Sequence, residues 1–496
     1  MTRSQLLTGF LAIAACAVVI LSAAFSATPT VLAGQAPYPA SAPDIPITNH
    51  DRVYAAEQYS NTVSVTDPST NTLLGEIALG EPAPGYFSPL YIGQVLVHGM
   101  GFSPDNKTLV VVSIGSNSAT FIDTATNAVK HTTYVGRSPH EAFFTPDGKE
   151  VWVAVRGENY VSVLDGTTYE EKTRITVPNG PGMQIFSPDG TYGYLCSSFT
   201  PETVVVRVAD HQIVGHVPQA SPFCPNIAAT PDGSQVWFTL KDSGKVQVFD
   251  AHPPFELLQT IDTGPITNHV NIVRNANGQF AYVTIGGLDV VKVFRTADFS
   301  QVATIPVGKL PHGIWPSGDG SRVYTALESS DELVGIDTLS NSVIATIPIG
   351  QSAQAVVFVP NAVPNGDGTQ GLRPLGLAGQ AVHLTLKSAA GSPQGLQAPT
   401  SVALYDQGVL QMLEAAVTGL QPTQPYVIGL AEQPDGGGTF EPLADFMSNE
   451  AGAQVVNALG PIREIVRGED QVQRRYLAIR AGSGAQPGAL EQIQAS

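Results

Sequence analysis

A turn of the Pro-Asp-Gly type recurs along this chain at nearly constant spacing. The glycines that end it stand at positions 148, 190, 233, 278 and 320, so the steps between them are 42, 43, 45 and 42 residues. Related turns occupy residues 103–106 and, in a degenerate form, residues 49–51. A fixed period of this size is typical of a repeat protein, and a repeat of four short strands is typical of a propeller blade.

The pattern of each repeat predicts four strands, as residues 310–350 illustrate. Apolar and polar residues alternate there in short segments that turn residues separate, and this pattern indicates β-strands. In the Pro-Asp-Gly turn, proline fixes φ, aspartate bonds to its own backbone and glycine accepts a positive φ. The third segment of most repeats ends in aspartate, which predicts a structural Asx-turn in place of a catalytic carboxylate; these residues are Asp67, Asp123, Asp165, Asp250 and Asp337.

The two ends of the repeat region complement each other. The first repeat, residues 52–80, lacks its first strand, whereas residues 354–361 at the far end match the first-strand phrase at residues 141–147. We therefore predict an all-β fold in which a seven-bladed β-propeller spans residues 47–361 and its first blade is split between the two ends. Such closure removes the sheet edge that an open array would expose.

Two strings carry a resemblance to a known class of proteins. VWVAVRGENYVSVLD at residues 151–165 and RVYAAEQYSNTVSVTDPSTNTLLGEIALG at residues 52–80 resemble YVTN-type β-propeller repeats. The resemblance implies a superfamily that contains secreted and surface proteins, lactonases and the cytochrome d1-like propellers of periplasmic oxidoreductases. It is specific for the fold, and the repeat alone does not choose an activity.

The N-terminus predicts export. Residues 1–33 contain a single charged side chain, Arg3, before an apolar run over residues 6–25, and we interpret them as a signal peptide that is cleaved before Gly34. Residues 34–46 are interpreted as a flexible leader. An uncleaved N-terminal membrane anchor and lipidation at Cys16 are the alternatives. The expected location is secreted or periplasmic.

Export bears on the cysteines that remain after the signal. An oxidising compartment makes a Cys196–Cys224 disulfide a candidate, because the two residues fall at strand ends on the same face of the meander. The alternative is that both are separate small apolar residues, one in a strand and one in a loop.

The period is lost after the propeller. Residues 362–379 contain five glycines and two prolines and are predicted to be a linker. Residues 380–482 are predicted to form a small β-rich, sandwich-like domain, in which residues 444–459 are either a strand pair or a helix. Residues 483–496 are expected to be a frayed tail.

The charge of the chain restricts its partners. A formal net charge of −18 argues against non-specific binding to nucleic acid or to anionic membranes, because such surfaces require clustered lysine and arginine. We expect no nucleic-acid partner, and membrane contact only through an uncleaved anchor. The partner expected is a protein or a small molecule of the cell envelope.

Histidines recur at one position of the repeat. His140 and His312 each stand eight residues before the turn glycine, His98 stands eight before the equivalent Asn106, and His269 stands nine before Gly278. Because first strands line a propeller's channel, we expect these side chains to ring one mouth of it and to form a candidate binding site. Converging imidazoles suit a metal ion or a haem. The alternatives are hydrogen bonds to loop carbonyls or the binding of a small anionic or polar ligand.

No cofactor is strongly implied. A metal ion held by the four histidines is the cofactor considered, and the sequence lacks the Cys-x-x-Cys-His motif of covalent haem attachment.

Charged residues at second-strand ends point to the same mouth. These are Glu57, Arg156, Lys241 and Glu328, and Arg156 is a candidate ligand-binding residue. The connection after the first repeat is unusually long and carries Tyr86, Phe87 and Tyr91, which are further candidate binding residues or parts of a lid.

Three functions follow as hypotheses. The first is a secreted or periplasmic binding or protein-interaction protein, with its ligand at the channel mouth or on the propeller face. The second is a lactonase-like hydrolase in which Glu141 is the candidate general base beside His140. The third is a metal- or haem-dependent oxidoreductase or electron-transfer protein. The sequence contains no diagnostic catalytic constellation, so we expect binding in place of catalysis.

Overall fold

The computed structural model describes residues 46–80, 95–376, 381–389, 400–407, 410–460, 462 and 474–495. The predicted signal peptide lies outside these residues, as does the predicted leader except for its last residue. The aromatic insertion with Tyr86, Phe87 and Tyr91 is also outside them. Within the described part of the chain, no helix has the length and apolar character needed to cross a membrane.

Seven four-stranded antiparallel sheets form the propeller, as predicted. The first blade comprises β1 (Arg52–Glu57), β2 (Thr62–Asp67), β3 (Thr72–Ala78) and, from the far end of the repeat region, β28 (Ala353–Val359). Blade 2 comprises β4 (Val97–Phe102), β5 (Thr108–Ser113), β6 (Ser118–Asp123) and β7 (Val129–Tyr134). Blade 3 comprises β8 (Pro139–Phe144), β9 (Glu150–Val155), β10 (Tyr160–Asp165) and β11 (Glu171–Thr176). Blade 4 comprises β12 (Pro181–Phe186), β13 (Tyr192–Ser197), β14 (Glu202–Arg207) and β15 (Gln212–Pro218).

The remaining three blades follow the same plan. Blade 5 comprises β16 (Ile227–Ala229), β17 (Gln235–Leu240), β18 (Lys245–Asp250) and β19 (Leu257–Asp262). Blade 6 comprises β20 (Thr267–Asn275), β21 (Gly278–Ile285), β22 (Val290–Arg295) and β23 (Gln301–Pro306), with a short 3-10 turn at Gly286–Leu288. Blade 7 comprises β24 (Pro311–Pro316), β25 (Arg322–Leu327), β26 (Glu332–Asp337) and β27 (Ser342–Pro348).

The predicted closure of the ring is confirmed. β28 pairs antiparallel with β1, and Val357 lies opposite Tyr54 in this ladder. The last strand of the repeat region therefore becomes the innermost strand of the first blade.

Burial within a blade follows its position relative to the axis. In blade 3, β8 and most of β9 are buried on both faces, whereas β11 at the rim is largely exposed. Neighbouring blades cover both faces of the inner strands, which explains why these strands are almost continuously apolar. The third-strand aspartates form the predicted turns: Asp165 Oδ1 accepts hydrogen bonds from the Thr167 and Thr168 N–H groups, each 2.9 Å long.

First strands pack closely around the axis. A Cβ atom on Gly313, which follows His312, would lie 2.7 Å from the Ala355 Cα atom of the neighbouring first strand, so a side chain there would clash. The Thr284 hydroxyl of blade 6 donates a 2.8 Å hydrogen bond to the His312 carbonyl of blade 7. The His-Gly phrase of the repeat thus places an imidazole where two blades meet at the channel.

The segment after β28 follows the rim of blade 1. Its Val363 N–H donates a 2.9 Å hydrogen bond to the His50 carbonyl, and Arg373 forms an antiparallel bridge with Glu76 on β3. Between them, the Asn127 side-chain amide donates a 2.9 Å bond to the Gly368 carbonyl. This segment therefore covers an outer strand edge and holds blades 1 and 2 together.

The C-terminal domain is one eight-stranded antiparallel sheet. Its strands are β29 (Val382–Ser388), β30 (Thr400–Gln407), β31 (Leu410–Val417), β32 (Pro425–Ala431), β33 (Phe440–Met447), β34 (Gln454–Gly460), β35 (Tyr476–Ser483) and β36 (Gln486–Gln494). Their order is β33-β32-β35-β36-β29-β30-β31-β34. The two end strands contact each other, so the sheet is nearly closed around an apolar core that includes Leu413, Ile428 and Ile479. Of the two alternatives for residues 444–459, the structure contains strands.

The prediction of a frayed tail at residues 483–496 is wrong. Residues 486–494 form β36, which pairs with both β35 and β29, and Ile493 on it is buried. The apolar residues of this segment were too few and too irregularly spaced to predict a strand; its stability comes from two neighbouring strands that are distant in sequence.

One face of the C-terminal sheet rests on the propeller. The Tyr405 ring lies 4.6 Å from the Tyr59 ring, centroid to centroid, and the Tyr405 hydroxyl donates a 2.9 Å hydrogen bond to the Glu328 carbonyl. Ala416 of β31 packs with Ile266 and Leu310 of the propeller. The two parts belong to one compact unit, and the sheet covers the face on which the histidine slot opens.

Candidate functional site

The four histidines of the repeat slot lie together in an arc around the channel. Ring centroids are 4.5 Å apart for His98 and His140 on blades 2 and 3, and 4.8 Å apart for His269 and His312 on blades 6 and 7. His98 and His312 are 6.4 Å apart across blade 1, where Gln354 occupies the slot. The repeat register thus predicts their convergence correctly, including that of His269 with its one-residue offset.

Three of these imidazoles use Nδ1 for a bond within the protein. His140 Nδ1 is 2.7 Å from the Gly182 carbonyl, His312 Nδ1 is 2.8 Å from Glu328 Oε2, and His98 Nδ1 is 3.2 Å from Gln58 Oε1. Each of these oxygens is an acceptor, so Nδ1 carries the proton. In the neutral ring, Nε2 is then an acceptor, and it makes no hydrogen bond to another described residue.

His269 has the opposite tautomer. Its Nδ1 lies 3.2 Å from the Asn226 side-chain nitrogen, whose amide is oriented by a bond from the Val270 N–H to Asn226 Oδ1. The amide nitrogen donates, so His269 Nδ1 accepts and Nε2 carries the proton.

Burial keeps the histidines neutral. It lowers the pKa of His98 to about 3, with the neighbouring His312 and Arg156 acting in the same direction. It also lowers the pKa of His140 and of His269 well below the ordinary value. In His312 burial lowers the pKa despite the adjacent Glu328 carboxylate. At neutral pH these side chains add hydrogen-bonding capacity and no charge.

A cavity of about 230 Å³ lies between the channel mouth and the C-terminal sheet. His98, His140 and His312 line it from the propeller, together with Arg156 and Lys241. The sheet contributes Glu414 on β31 and two asparagines, Asn449 and Asn457. His269 does not line it; its ring packs edge-on against that of His312.

Arg156 and Lys241 approach each other across an aromatic ring. The Arg156 guanidinium carbon is 4.7 Å and the Lys241 Nζ atom 5.7 Å from the centroid of Phe223. Phe199 adds a second ring, 5.6 Å from Arg156. Neither cation forms an ion pair or a hydrogen bond with another described residue, and Arg156 Nε is buried without a partner. Aromatic faces orient the two cations but leave their donors unused.

Their surroundings disfavour these charges. Burial lowers the pKa of Arg156 to about 10, against the opposing effect of Asp242. Burial also lowers the pKa of Lys241, with Glu328 opposing and Arg156 adding to the shift.

Three carboxyl groups line the cavity: Asp242, Glu328 and Glu414. The Asp242 carboxyl accepts a hydrogen bond from the Asn449 side chain; burial raises its pKa, and Lys241 and Arg156 oppose the shift. Burial alone would raise the pKa of Glu328, but His312, Lys241 and the Gln354 amide together hold it low, so Glu328 is ionised and bonded to His312 and Gln354. Burial and the nearby Glu328 raise the pKa of Glu414 well above its usual range, which favours its neutral form.

Other predicted site residues lie apart from the cavity. Glu141 does not line it; its carboxyl group accepts a hydrogen bond from the Met100 N–H on the neighbouring first strand, and burial raises its pKa to about 8. Glu57 is also outside the cavity and bonds to the Thr62 hydroxyl at 2.6 Å. The candidate residues Tyr86, Phe87 and Tyr91 are outside the described residues.

Cys196 and Cys224 are joined by a disulfide, with Cα atoms 5.9 Å apart. The bridge holds the segment before β16 against β13. Because Phe223 and Pro225 flank Cys224 and both line the cavity, the disulfide fixes part of the cavity wall.

The metal hypothesis has a weaker geometric basis than the convergence of the histidines suggests. Across the part of the chain that the structure describes, no group of three or more histidine, cysteine, aspartate or glutamate side chains is arranged to hold a metal ion. Metal or haem binding by His98, His140, His269 and His312 stays a prediction of the sequence.

Several cavity residues were not predicted. Phe223 lies in an interblade connection, and its place beside Cys224 was the one signal available. Glu414, Asn449 and Asn457 belong to the C-terminal sheet, and nothing in the sequence places that sheet over the channel mouth.

Comparisons with known proteins bear on the fold. No protein-family model and no curated protein matches the chain. Among solved structures, it is similar to Kuenenia stuttgartiensis hydrazine synthase, with a TM-score of 0.48 and 20% identity over 53% of this chain and 89% of that chain. It is also similar to a functionally unknown protein from Desulfotomaculum acetoxidans DSM 771, with a TM-score of 0.53 and 16% identity over 62% of this chain and 99% of that chain. Identities this low concern the fold alone.

Proposed function

We propose that this protein is a β-propeller binding protein that holds a small anion in the cavity between the channel mouth and the C-terminal sheet. One observation carries the proposal: Arg156 and Lys241 share the Phe223 ring at the cavity wall and have no acidic partner within ion-pair distance among the described residues. Cations placed together in this way are stabilised when an anion binds between their donors.

The electrostatics of the cavity support an anion over a cation. Arg156 and Lys241 are half-buried like charges that repel each other, and a bound anion offsets both that repulsion and the partial loss of hydration. The neutral histidines neither add to the positive charge nor compete for the anion. The cations are half-buried beneath the covering sheet, and their attraction to a ligand is stronger there than in bulk water.

The wider assignment of the protein follows the sequence. We propose that it is a secreted or periplasmic protein of the YVTN-repeat class. The signal-like N-terminal pattern and the Cys196–Cys224 disulfide support export, because disulfides persist in oxidising compartments. The propeller fold supports a role as a binding or interaction scaffold.

Anion titration by calorimetry at pH 7 tests the proposal. The panel is acetate, lactate, succinate, sulfate and phosphate, against the wild-type chain and the Arg156→Gln and Lys241→Gln variants. We expect at least one anion to bind, and each variant to weaken it roughly ten- to hundredfold, because a hydrogen bond to a charged group is worth about 1.5–3 kcal/mol.

Arg137→Gln is the matched control, since Arg137 is exposed and pairs with Glu158. It should leave the affinity unchanged. Binding that survives both cavity substitutions, or no binding to any anion of the panel, would refute the proposal.

A hydrolase is the second candidate, and the His312–Glu328 pair favours it. A carboxylate that holds Nδ1–H of an imidazole at 2.8 Å leaves Nε2 at the cavity as a potential general base for water. In this arrangement Arg156 and Lys241 would stabilise a developing oxyanion. The residue pair differs from the Glu141–His140 pair of the lactonase hypothesis, and hydrolysis of a lactone panel that is lost in His312→Gln would support it.

A further inference from the structure

We infer that the anion is a hydroxycarboxylate, whose carboxylate binds Arg156 and Lys241 and whose hydroxyl groups donate to the cavity histidines. This inference rests on the proposed function and specifies its ligand. The feature behind it is the placement of two kinds of group in one cavity: the cationic donors Arg156 and Lys241 at second-strand ends, and imidazole acceptors on first strands.

The acceptor side consists of three imidazoles. In His98, His140 and His312, Nδ1–H is committed to Gln58, Gly182 and Glu328, so the neutral ring presents Nε2 as a lone pair. A ligand atom that meets these nitrogens favourably must bring a hydrogen. A carboxylate or phosphate oxygen without a proton cannot do so.

The donor side lies farther from the axis. Arg156 follows β9 and Lys241 follows β17, which are second strands, whereas the histidines stand on or beside first strands, next to the channel. A ligand that spans the cavity therefore meets cations at its outer end and lone pairs at its inner end. A small molecule with hydroxyl groups on the carbons next to its carboxylate matches both ends: the carboxylate meets the cations, and the hydroxyl groups donate to the lone pairs.

Charge disfavours the obvious alternative donor. An ammonium group would also donate to the imidazoles, but Arg156 and Lys241 would repel it, and the Glu328 carboxylate is already bonded to His312 and Gln354. Neutral hydroxyls donate without this repulsion. The Asn449 amide is bonded to the Ala451 and Ala453 N–H groups and to Asp242, and the Asn457 amide can donate or accept, so neither discriminates.

A three-carbon series isolates the hydroxyl contribution. Propionate, lactate and glycerate share a carbon skeleton and a carboxylate, and carry no, one and two hydroxyl groups. We expect calorimetry on the wild-type chain at pH 7 to show a roughly fivefold gain in affinity per hydroxyl, as expected for a hydrogen bond of about 1 kcal/mol.

Two substitutions at His140 locate the hydroxyl contact. His140→Asn keeps an amide near the Nδ1 position, where it can donate to the Gly182 carbonyl, but it removes Nε2. His140→Gln places an amide oxygen near the Nε2 position. We expect the asparagine variant to lose most of the preference for glycerate over propionate and the glutamine variant to retain part of it.

The outcomes separate the two proposals. Equal affinities across the series, with all three weakened by Arg156→Gln, overturn the hydroxycarboxylate inference and leave anion binding standing. No binding of any member, together with no binding of the wider anion panel, overturns both. The wild-type series decides the inference even if the His140 variants fail to fold.

Discussion

The guanidinium carbon of Arg156 lies 4.7 Å from the ring centroid of Phe223, and no carboxylate of the described chain is within ion-pair distance of that guanidinium. This is unusual for a protein with a formal net charge of −18, in which acidic partners are plentiful. Acidic side chains do lie nearby, but Glu328 is bonded to His312, Asp242 accepts a hydrogen bond from Asn449, and burial raises the pKa of Glu414 well above its usual range. The site thus keeps a cation available where the chain as a whole is acidic.

Phe223 should therefore matter for affinity more than for stability. Phe223→Leu preserves apolar volume on a half-buried side chain but removes the ring face that orients Arg156 and Lys241. We expect anion affinity to fall roughly three- to tenfold, in line with about 0.5–1.5 kcal/mol for cation–π contacts. Calorimetric titration of the variant and the wild type measures this change in affinity.

Phe199→Leu is the control for this prediction. Phe199 is 52% exposed and its ring is 5.6 Å from Arg156, so its loss should change the affinity less. An equal or larger effect of Phe199→Leu would show that Phe223 does not orient the cations.

The sequence predicted those parts of the site that follow from the repeat. Period and register identify His98, His140 and His312 because equivalent positions in different blades converge at the axis. They also place Arg156, Lys241 and Glu328 at second-strand ends on the same face. Glu141 does not line the cavity and bonds to Met100, because a single position in a strand decides whether a side chain faces the channel or the next blade; its role as a general base stays a prediction.

The cover of the cavity could not be predicted in this way. The C-terminal sheet has no repeat, so its residues have no register relative to the propeller. Its docking depends on contacts such as Tyr59 with Tyr405, which are 4.6 Å apart in space and distant in sequence. A pattern in one chain does not reveal such pairs, and the strand at residues 486–494 was missed for the same reason.

Tyr405 should couple the sheet to the propeller. Its side chain is 0% exposed and its hydroxyl bonds to the Glu328 carbonyl, so Tyr405→Phe leaves a buried acceptor unpaired. We expect a loss of about 1–2 kcal/mol in unfolding free energy, and about 3–5 kcal/mol for Tyr405→Ala, which empties the ring site.

Calorimetric unfolding checks the Tyr405 prediction, with Tyr134→Phe as the control because Tyr134 is 69% exposed. We also expect Tyr405→Ala to weaken anion binding, since the sheet forms part of the cavity wall. Unchanged stability in both Tyr405 variants would contradict the docking contact.

Glu141 should make stability fall with pH. Burial raises its pKa to about 8 in the folded chain, from a value near 4.5 when unfolded. The folded state therefore binds the proton more tightly than the unfolded state. The resulting contribution to the free energy of unfolding is complete below about pH 4.5 and is lost as the pH rises to about 8. Its size is on the order of a few kcal/mol. Glu57, with a pKa of about 8 for the same reason, acts in the same direction.

Glu141→Gln tests this by keeping the neutral shape at all pH values. Unfolding free energies measured by urea titration at pH 5 and pH 8 should fall less for the variant than for the wild type. Glu170→Gln, at a side chain that is 70% exposed, should reproduce the wild-type decrease. An identical decrease in Glu141→Gln would mean that Glu141 titrates normally.

Lys241 should make anion affinity depend on pH at values lower than those at which ordinary lysines titrate. Burial lowers its pKa, and only its protonated form attracts an anion, so affinity should decrease as pH rises from 7 to 10. Lys241→Arg keeps the charge to higher pH and should flatten this decrease, whereas the exposed Lys149→Arg should not, since the Lys149 side chain is 79% exposed. Calorimetric titrations of the tightest-binding anion at three pH values measure the slope. A flat wild-type profile would show that the Lys241 ammonium does not contact the ligand, and would leave Arg156 as the cation that holds it.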